Sequence, residues 1–301
     1  MLYAPIVLFA FNRPDSLKRC VESLLMNNEA AQSDLIVYVD GARSNKMGEA
    51  ERVLAVQEYV MRITGFRSLT FHFSEINKRL GPSIIAGVTE VINQYERVIV
   101  IEDDLIASKN FLAFINLGLN KYAANKEVWS VCGYGNKIQI PQGYDYDGYF
   151  CSRSSSWGWG TWKDRWLSCD WDLKDWNSVM QNRKAFNRWG GSDCFSMLNN
   201  WHKGLNQSWA IRFCYNQYIQ NAVTLFPIVS KIDNKGFDGT GTNCKLYNRF
   251  QFDFDNGDNN FFNLPTEIIV NKQLQKEALK YHTKLIRIYS KFMNMIYGFI
   301  N

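Results

Sequence analysis

The sequence predicts an α/β protein built on a mostly parallel sheet. Two observations carry that expectation: solid apolar runs, buried on both faces if they are strands, and helical-period segments between them through the first 135 residues. A third is the position of the polar residues, which follow the apolar runs directly. Open sheets of this class bind ligands beyond the carboxyl ends of their strands.

Ile6 to Phe11 reads as the first strand. Pro14 suits the first turn of a helix whose stripe is Leu17, Cys20, Val21, Leu24 and Leu25. Residues 35–40 (LIVYVD) form a second strand, and Met47 to Ile63 a helix with Val53, Val56, Tyr59, Val60 and Ile63 inward. Residues 69–74 are a third strand, 82–95 a Pro-started helix, and 97–104 (RVIVIEDD) a fourth strand. Four loops then meet on one edge: Asn12 and Arg13; Asp40 and Gly41; Asn77, Lys78, Arg79 and Gly81; Glu102, Asp103 and Asp104. No GxGxxG or GxxxxGK[ST] follows the first strand, so neither a dinucleotide fingerprint nor a P-loop fills the crevice.

The second half differs. Six tryptophans (157, 159, 162, 166, 171 and 176) fall within 20 residues, and NKGFDGTGTNC (234–244) has the composition of a loop that orders over a ligand. Thr266 to Phe299 reads as one amphipathic helix, with Lys272, Lys276, Lys280, Lys284, Arg287 and Lys291 opposite Leu274, Leu285, Ile288, Phe292 and Ile296. Such a helix either packs with its lysines in water or lies on an anionic membrane surface as a peripheral contact. The expected division is residues 1–135, 136–265 and 266–301.

A net charge of +5 is mild, and without a basic tract it argues against nucleic acid. Seven scattered cysteines with no CxxC pair fit neither a disulfide framework nor a zinc site, and three dispersed histidines, His72, His202 and His282, read as structural. A reducing compartment and a short apolar start without a basic leader make a cytoplasmic protein the expectation.

Glu102, Asp103 and Asp104 pose the central question, because adjacent like charges repel unless something positive joins them. Mg2+ or Mn2+ takes carboxylate oxygens while binding substrate phosphates. Neighbours on an extended chain point to opposite sides, so three acids can serve separate contacts. The alternative is an acidic turn that caps the following helix.

FNRP, YVDG, VIVIEDDLIASKNFLAF and WGWGTW, in that order, resemble GT-A-fold glycosyltransferases, and among them N-acetylglucosaminyltransferase I and its bacterial relatives. The likeness spans roughly residues 4–244. It implies a mostly parallel sheet with flanking helices in a nucleotide-sugar-binding first half and a mixed acceptor-side second half. It also implies an inverting transfer from a sugar nucleotide, UDP favoured, to a glycan or lipid-linked saccharide, with Mn2+ or Mg2+ on the diphosphate. By the same resemblance Asp104 holds the metal, Asp103 the ribose and Glu102 the donor sugar, while Arg13 and Asp40 contact the nucleotide. Arg79 is placed beside them as a further nucleotide contact. The bland readings are a surface arginine beside Asp15 and a turn former before Gly41.

Inverting transfer needs a general base. The aspartate expected before a tryptophan is replaced by Gln207 or Ser208 in LNQSWAIRF, which leaves Asp193, Asp170, Asp172 or a shifted register. Trp157 and Trp159, between glycines, are expected as walls of the sugar site, and Arg212 as orienting acceptor or diphosphate. Two rivals stand: a non-catalytic nucleotide-sugar or glycan-binding protein, and a sugar-1-phosphate nucleotidylyltransferase, whose Gly-rich basic loop is missing.

Overall fold

The computed structural model describes residues 3–237, 239 and 246–300, with 298–300 described by backbone alone. The first half follows the expected alternation: β1 (Ile6–Ala10), α1 (Pro14–Leu25), β2 (Asp34–Val39), α2 (Glu49–Val60), β3 (Ser68–Phe73), α3 (Leu80–Tyr95) and β4 (Arg97–Glu102). Then come β5 (Leu105–Ala107), α4 (Phe111–Lys121), β6 (Val128–Cys132), β7 (Gly148–Cys151), β8 (Trp159–Trp162), α5 (Lys163–Leu167), α6 (Trp176–Gly190) and α7 (Cys194–His202). The chain continues through α8 (Trp209–Ile219), β9 (Val223–Pro227), β10 (Ile232–Asn234), α9 (Lys272–Leu279) and α10 (Lys284–Ile300).

One eight-stranded sheet runs in the order β3-β2-β1-β4-β8-β6-β9-β7, and β5 and β10 form a separate antiparallel pair. β3, β2, β1 and β4 are mutually parallel. β8 is antiparallel to both its neighbours and β7 to β9. The fold class is therefore the α/β expected: a parallel half continuous with a mixed half, helices on both faces. The solid apolar strands explain the covering, since their side chains alternate between two cores. Ile6 and Leu8 pack with Leu17, Val53 and Phe111 on one face, and Val7 and Phe9 with Ile84, Val88 and Phe213 on the other.

Two expectations are corrected here. Trp159 does not wall a site; it is buried, stacked on Trp209 at 4.9 Å and tilted against Trp166 at 5.7 Å. Its glycine neighbours serve packing, because a Cβ on Gly160 would lie 3.0 Å from Ile115, Leu119 and the Val98 carbonyl. The C-terminal segment is not one helix. Asn271 caps α9 by accepting from the Gln273 and Leu274 amides, and a 3-10 turn at Lys280–His282 separates it from α10. The break follows from burial of two side chains: Tyr281 donates to the Lys137 carbonyl at 2.8 Å, and His282 reaches Asp193.

Candidate active site

Parallel β1 and β4 are adjacent, so their carboxyl ends bring Arg13 and the acidic run together across 90 residues of sequence. Arg13 Nη2 donates to Asp103 Oδ1 at 2.8 Å and to Asp104 Oδ2 at 3.0 Å. Asp103 is buried and also accepts the Phe11 amide at 3.2 Å. Arg13 Nη1 is buried as well and has no hydrogen-bond partner among the described residues. A buried guanidinium N–H without an acceptor is costly, so this donor is suited to an oxygen that a ligand brings.

The acids outweigh the single guanidinium. Burial and the charges of Asp104 and Asp103 push Glu102 up to about 8 against the pull of Arg13. Burial pushes Asp103 up to about 6, again against Arg13. A cluster this short of positive charge fits a hard divalent cation. Among the described residues no three His, Cys, Asp or Glu side chains form a metal cage. Asp104, which keeps partial exposure, is a residue that could take such a cation.

β5 and β10 add a part that the sequence reading placed only loosely. Their pairing sets Asn234 opposite Leu105, the Lys235 amide donates to the Asp104 carbonyl at 2.9 Å, and Asn234 Oδ1 accepts the Gly236 amide at 2.8 Å. Gly236 consequently rests on the carboxylate itself: a Cβ there would lie 2.4 Å from Asp104 Oδ2. The start of the 234–244 loop thus touches the acidic cluster. Its residues 238 and 240–244 lie outside the described residues. Gly236→Ala is expected to displace the Asp104 carboxylate, weakening binding of a divalent cation such as Mn2+ at the cluster about tenfold while the melting temperature stays near wild type. Titration calorimetry beside a thermal melt checks it, and unchanged affinity would show that the contact does not matter.

The other expected residues divide. Asp40 takes the bland role: its Oδ1 accepts the Gly41 and Lys78 amides and its Oδ2 the Arg79 amide, so it ties the loop after β2 to the loop after β3. Arg79 has an exposed side chain and a left-handed backbone, φ +65°, held by that tie. The next turn is fixed by close approach, because a Cβ on Gly81 would strike the Gln207 carbonyl at 2.1 Å. Gln207 itself is exposed, and Ser208 caps α8 by accepting the Ile211 amide.

Arg212 is turned inward: it donates to the Ser208 and Trp171 carbonyls and lies 4.8 Å from the Trp201 ring centre. Asp193 is buried in a bidentate pair with Arg153 at 2.7 and 3.3 Å. Burial alone would raise its pKa, but the Arg153 charge and the His282 and Arg153 hydrogen bonds hold it well below the carboxylate range. A carboxylate held that low is a weak base, which counts against the proton-accepting role expected of it. Asp170 is spent on a turn, accepting the Asp172, Leu173 and Lys174 amides.

Trp157 does line a cavity. It packs edge-on against Tyr134, Phe250 and Phe237, and the space beside it measures about 510 Å³. Phe237 lines the same cavity and follows Gly236 directly, so cavity and acidic cluster are neighbours. Sequence reasoning missed Arg153, Arg249 and Phe250, which also line it; each sits outside any motif.

No protein-family model matches the chain, and no curated protein matches it. Among solved structures, the mannosyltransferase PcManGT from Pyrobaculum calidifontis, in complex with GDP-Man and Mn2+, overlaps 54% of this chain and 46% of its own, at 10% identity and a TM-score of 0.37. S. aureus TarS overlaps 56% of this chain and 30% of its own, at 12% identity and a TM-score of 0.36. An active-site mutant of LgtC overlaps 59% and 64%, at 11% identity and a TM-score of 0.33. The chain thus spans less than two thirds of each neighbour. Overlaps this partial assign no activity, and the site's own chemistry has to carry the reading.

Proposed function

We propose that this protein is a nucleotide-sugar glycosyltransferase of GT-A type, using Mn2+ or Mg2+, with UDP the favoured nucleotide. The observation that carries the reading is Arg13, which holds Asp103 and Asp104 with one nitrogen and keeps the other buried and unpartnered at the carboxyl edge of a parallel sheet. Arg13 binds a nucleotide phosphate or carbonyl oxygen through that second nitrogen. Asp103, fixed by Arg13 and the Phe11 amide, accepts a ribose hydroxyl. Asp104 holds the metal, which supplies charge to a departing diphosphate. Glu102 contacts the donor sugar, and Trp157 walls the adjoining sugar pocket. A saccharide or lipid-linked saccharide is the acceptor.

Calorimetric titration of UDP, and of GDP as a control, with and without Mn2+, tests the donor site. Binding of UDP that requires metal is expected, and silence of both nucleotides under every metal condition would end the reading. The engagement of Asp193 and Asp170 favours a second reading, a protein that binds the donor without transferring it. Release of free UDP from UDP-sugars in the presence of Mn2+ excludes that one.

Among the described residues no helix is long and apolar enough to cross a membrane. α10 nevertheless exposes Leu285, Ile288, Phe292 and Met295 by 58 to 80%, with Lys284 and Lys291 nearby. Peripheral contact with an anionic bilayer is part of the proposal. Sedimentation with phosphatidylglycerol vesicles is expected and should fall severalfold in Phe292→Glu; equal recovery with and without vesicles would remove the contact.

A further inference from the structure

We propose that the cavity beside Trp157 binds a saccharide through an anionic group, a phosphate or a carboxylate, which makes the acceptor of this enzyme an acidic sugar. The proposal rests on the glycosyltransferase reading for the word acceptor, but not for the binding itself. Among the described lining residues are four cationic side chains, Arg153, Arg249, Arg287 and Lys291, one carboxylate, Asp193, and His282, which burial and Arg153 keep neutral. Arg153 consumes that carboxylate in a bidentate pair. Arg249 stands 3.8 Å from it and donates its Nε to the Tyr281 carbonyl. Arg287 donates to the Ser192 carbonyl and hydroxyl. Neither Arg287 nor Lys291 has a carboxylate partner among the described residues.

Cations gathered in a half-enclosed space repel one another, and an anion entering it relieves that repulsion. Burial lowers the pKa of Arg249; Asp193 pulls it back up, and the charges of Arg153 and Arg287 add to the fall. Guanidinium groups suit phosphate and carboxylate because they donate in a planar fork. Part of the remaining wall is aromatic, Trp157, Phe237 and Phe250 among it, and offers ring faces and edges to the C–H surface of a sugar.

The orientation of α10 supports the same conclusion. A surface helix normally buries its apolar stripe and gives its polar one to water. Here Arg287, Ser290, Lys291 and Asn294, at i, i+3, i+4 and i+7, line the cavity, while the apolar stripe faces outward. Arg287 and Asn294 already have protein partners, Ser192 for the first and the Tyr247 amide and Ser290 carbonyl for the second, which leaves the Lys291 ammonium, without a partner among the described residues, to meet a polar occupant. Phe237, next to the glycine that rests on Asp104, places that occupant beside the donor site.

The test is titration with glucose 1-phosphate, glucuronic acid, inorganic phosphate and methyl glucoside at low salt. It uses the wild type, Lys291→Gln, whose side chain is exposed, and the Arg249→Gln/Arg287→Gln double variant, with UDP and Mn2+ as the control for donor site and fold. The charged sugars are expected to bind at least about tenfold more tightly than methyl glucoside, since charge-assisted hydrogen bonds are each worth about ten- to a hundredfold. Lys291→Gln should lose part of that preference and the double variant nearly all, with UDP binding unchanged. The tighter of the phosphate and carboxylate probes identifies the anion. Equal affinity for charged and neutral sugars, or no sugar binding while UDP binds, would overturn the proposal. So would inorganic phosphate binding as tightly as glucose 1-phosphate, which leaves an anion site without a sugar subsite. If the charged sugars bind and UDP does not, the cavity assignment stands and the donor-site reading falls.

Discussion

Asp104→Ala is expected to abolish metal-dependent UDP binding: with Mn2+ present the variant should bind UDP at least about a hundredfold more weakly, at an affinity indifferent to metal. The reason is the division of labour in the acidic run. Asp103 is buried and fastened by both Arg13 and the Phe11 amide, so its position at the base of the crevice also depends on those bonds. Asp104 is tied only to Arg13 through its side chain, keeps partial exposure, and is approached by backbone at Gly236. Its carboxylate caps no backbone amide among the described residues, so the variant should melt close to wild type, whereas Asp103→Ala should lose stability too. Arg13 keeps its bond to Asp103 in the variant, so weak, metal-independent nucleotide binding through its other nitrogen is the expected residue of affinity. Wild-type-like binding by Asp104→Ala would return EDDL to an acidic turn.

That site was legible because topology does the work that distance in sequence hides. Solid apolar runs alternating with helices make a parallel sheet whose following loops share one edge, so Arg13 and the acidic run are expected on the same side. That β1 and β4 are direct neighbours, which brings Arg13 onto Asp103, is set by the strand order β3-β2-β1-β4 and not by the alternation. What failed to read through were contacts that no periodicity encodes. Asp193 looks like a spare acid in GGSDCF, yet its partner Arg153 lies 40 residues earlier on a loop. Trp159 looks exposed between two glycines, yet those glycines let strand and helix close over it. Asp40 presents itself as a ligand residue at a strand end and is consumed by three amides of its own neighbourhood. In α10 the amphipathic period is plain, but a period cannot say which stripe the rest of the chain covers, and here it covers the polar one.

The second large effect falls on stability. Arg153→Ala is expected to cost about 3–5 kcal/mol at pH 7, because it leaves Asp193 buried and charged with only His282 and a distant Arg249 for company. His282 does not replace the lost charge. Burial and the nearby Arg153 lower its pKa to about 4, so at neutral pH its 3.5 Å contact with Asp193 is a hydrogen bond between a neutral ring and a carboxylate, despite ion-pair geometry. The pH dependence follows from the same groups. His282 titrates lower in the folded chain than in the unfolded one, so the unfolded state takes up the proton first. Stability falls between about pH 6.5 and about 4, by on the order of 3 kcal/mol. Asp193 is also depressed; its contribution is complete above the ordinary carboxylate pKa of about 4 and is lost as the pH falls further. Without Arg153 both depressions shrink, since its charge lowers each pKa, and the variant becomes less sensitive to acid than the wild type. Urea unfolding at pH 7 and pH 4 should therefore show a wide gap between the two proteins that narrows on acidification. A gap of the same width at both pH values would mean that the Arg153–Asp193 pair does not set the charge state of this buried cluster.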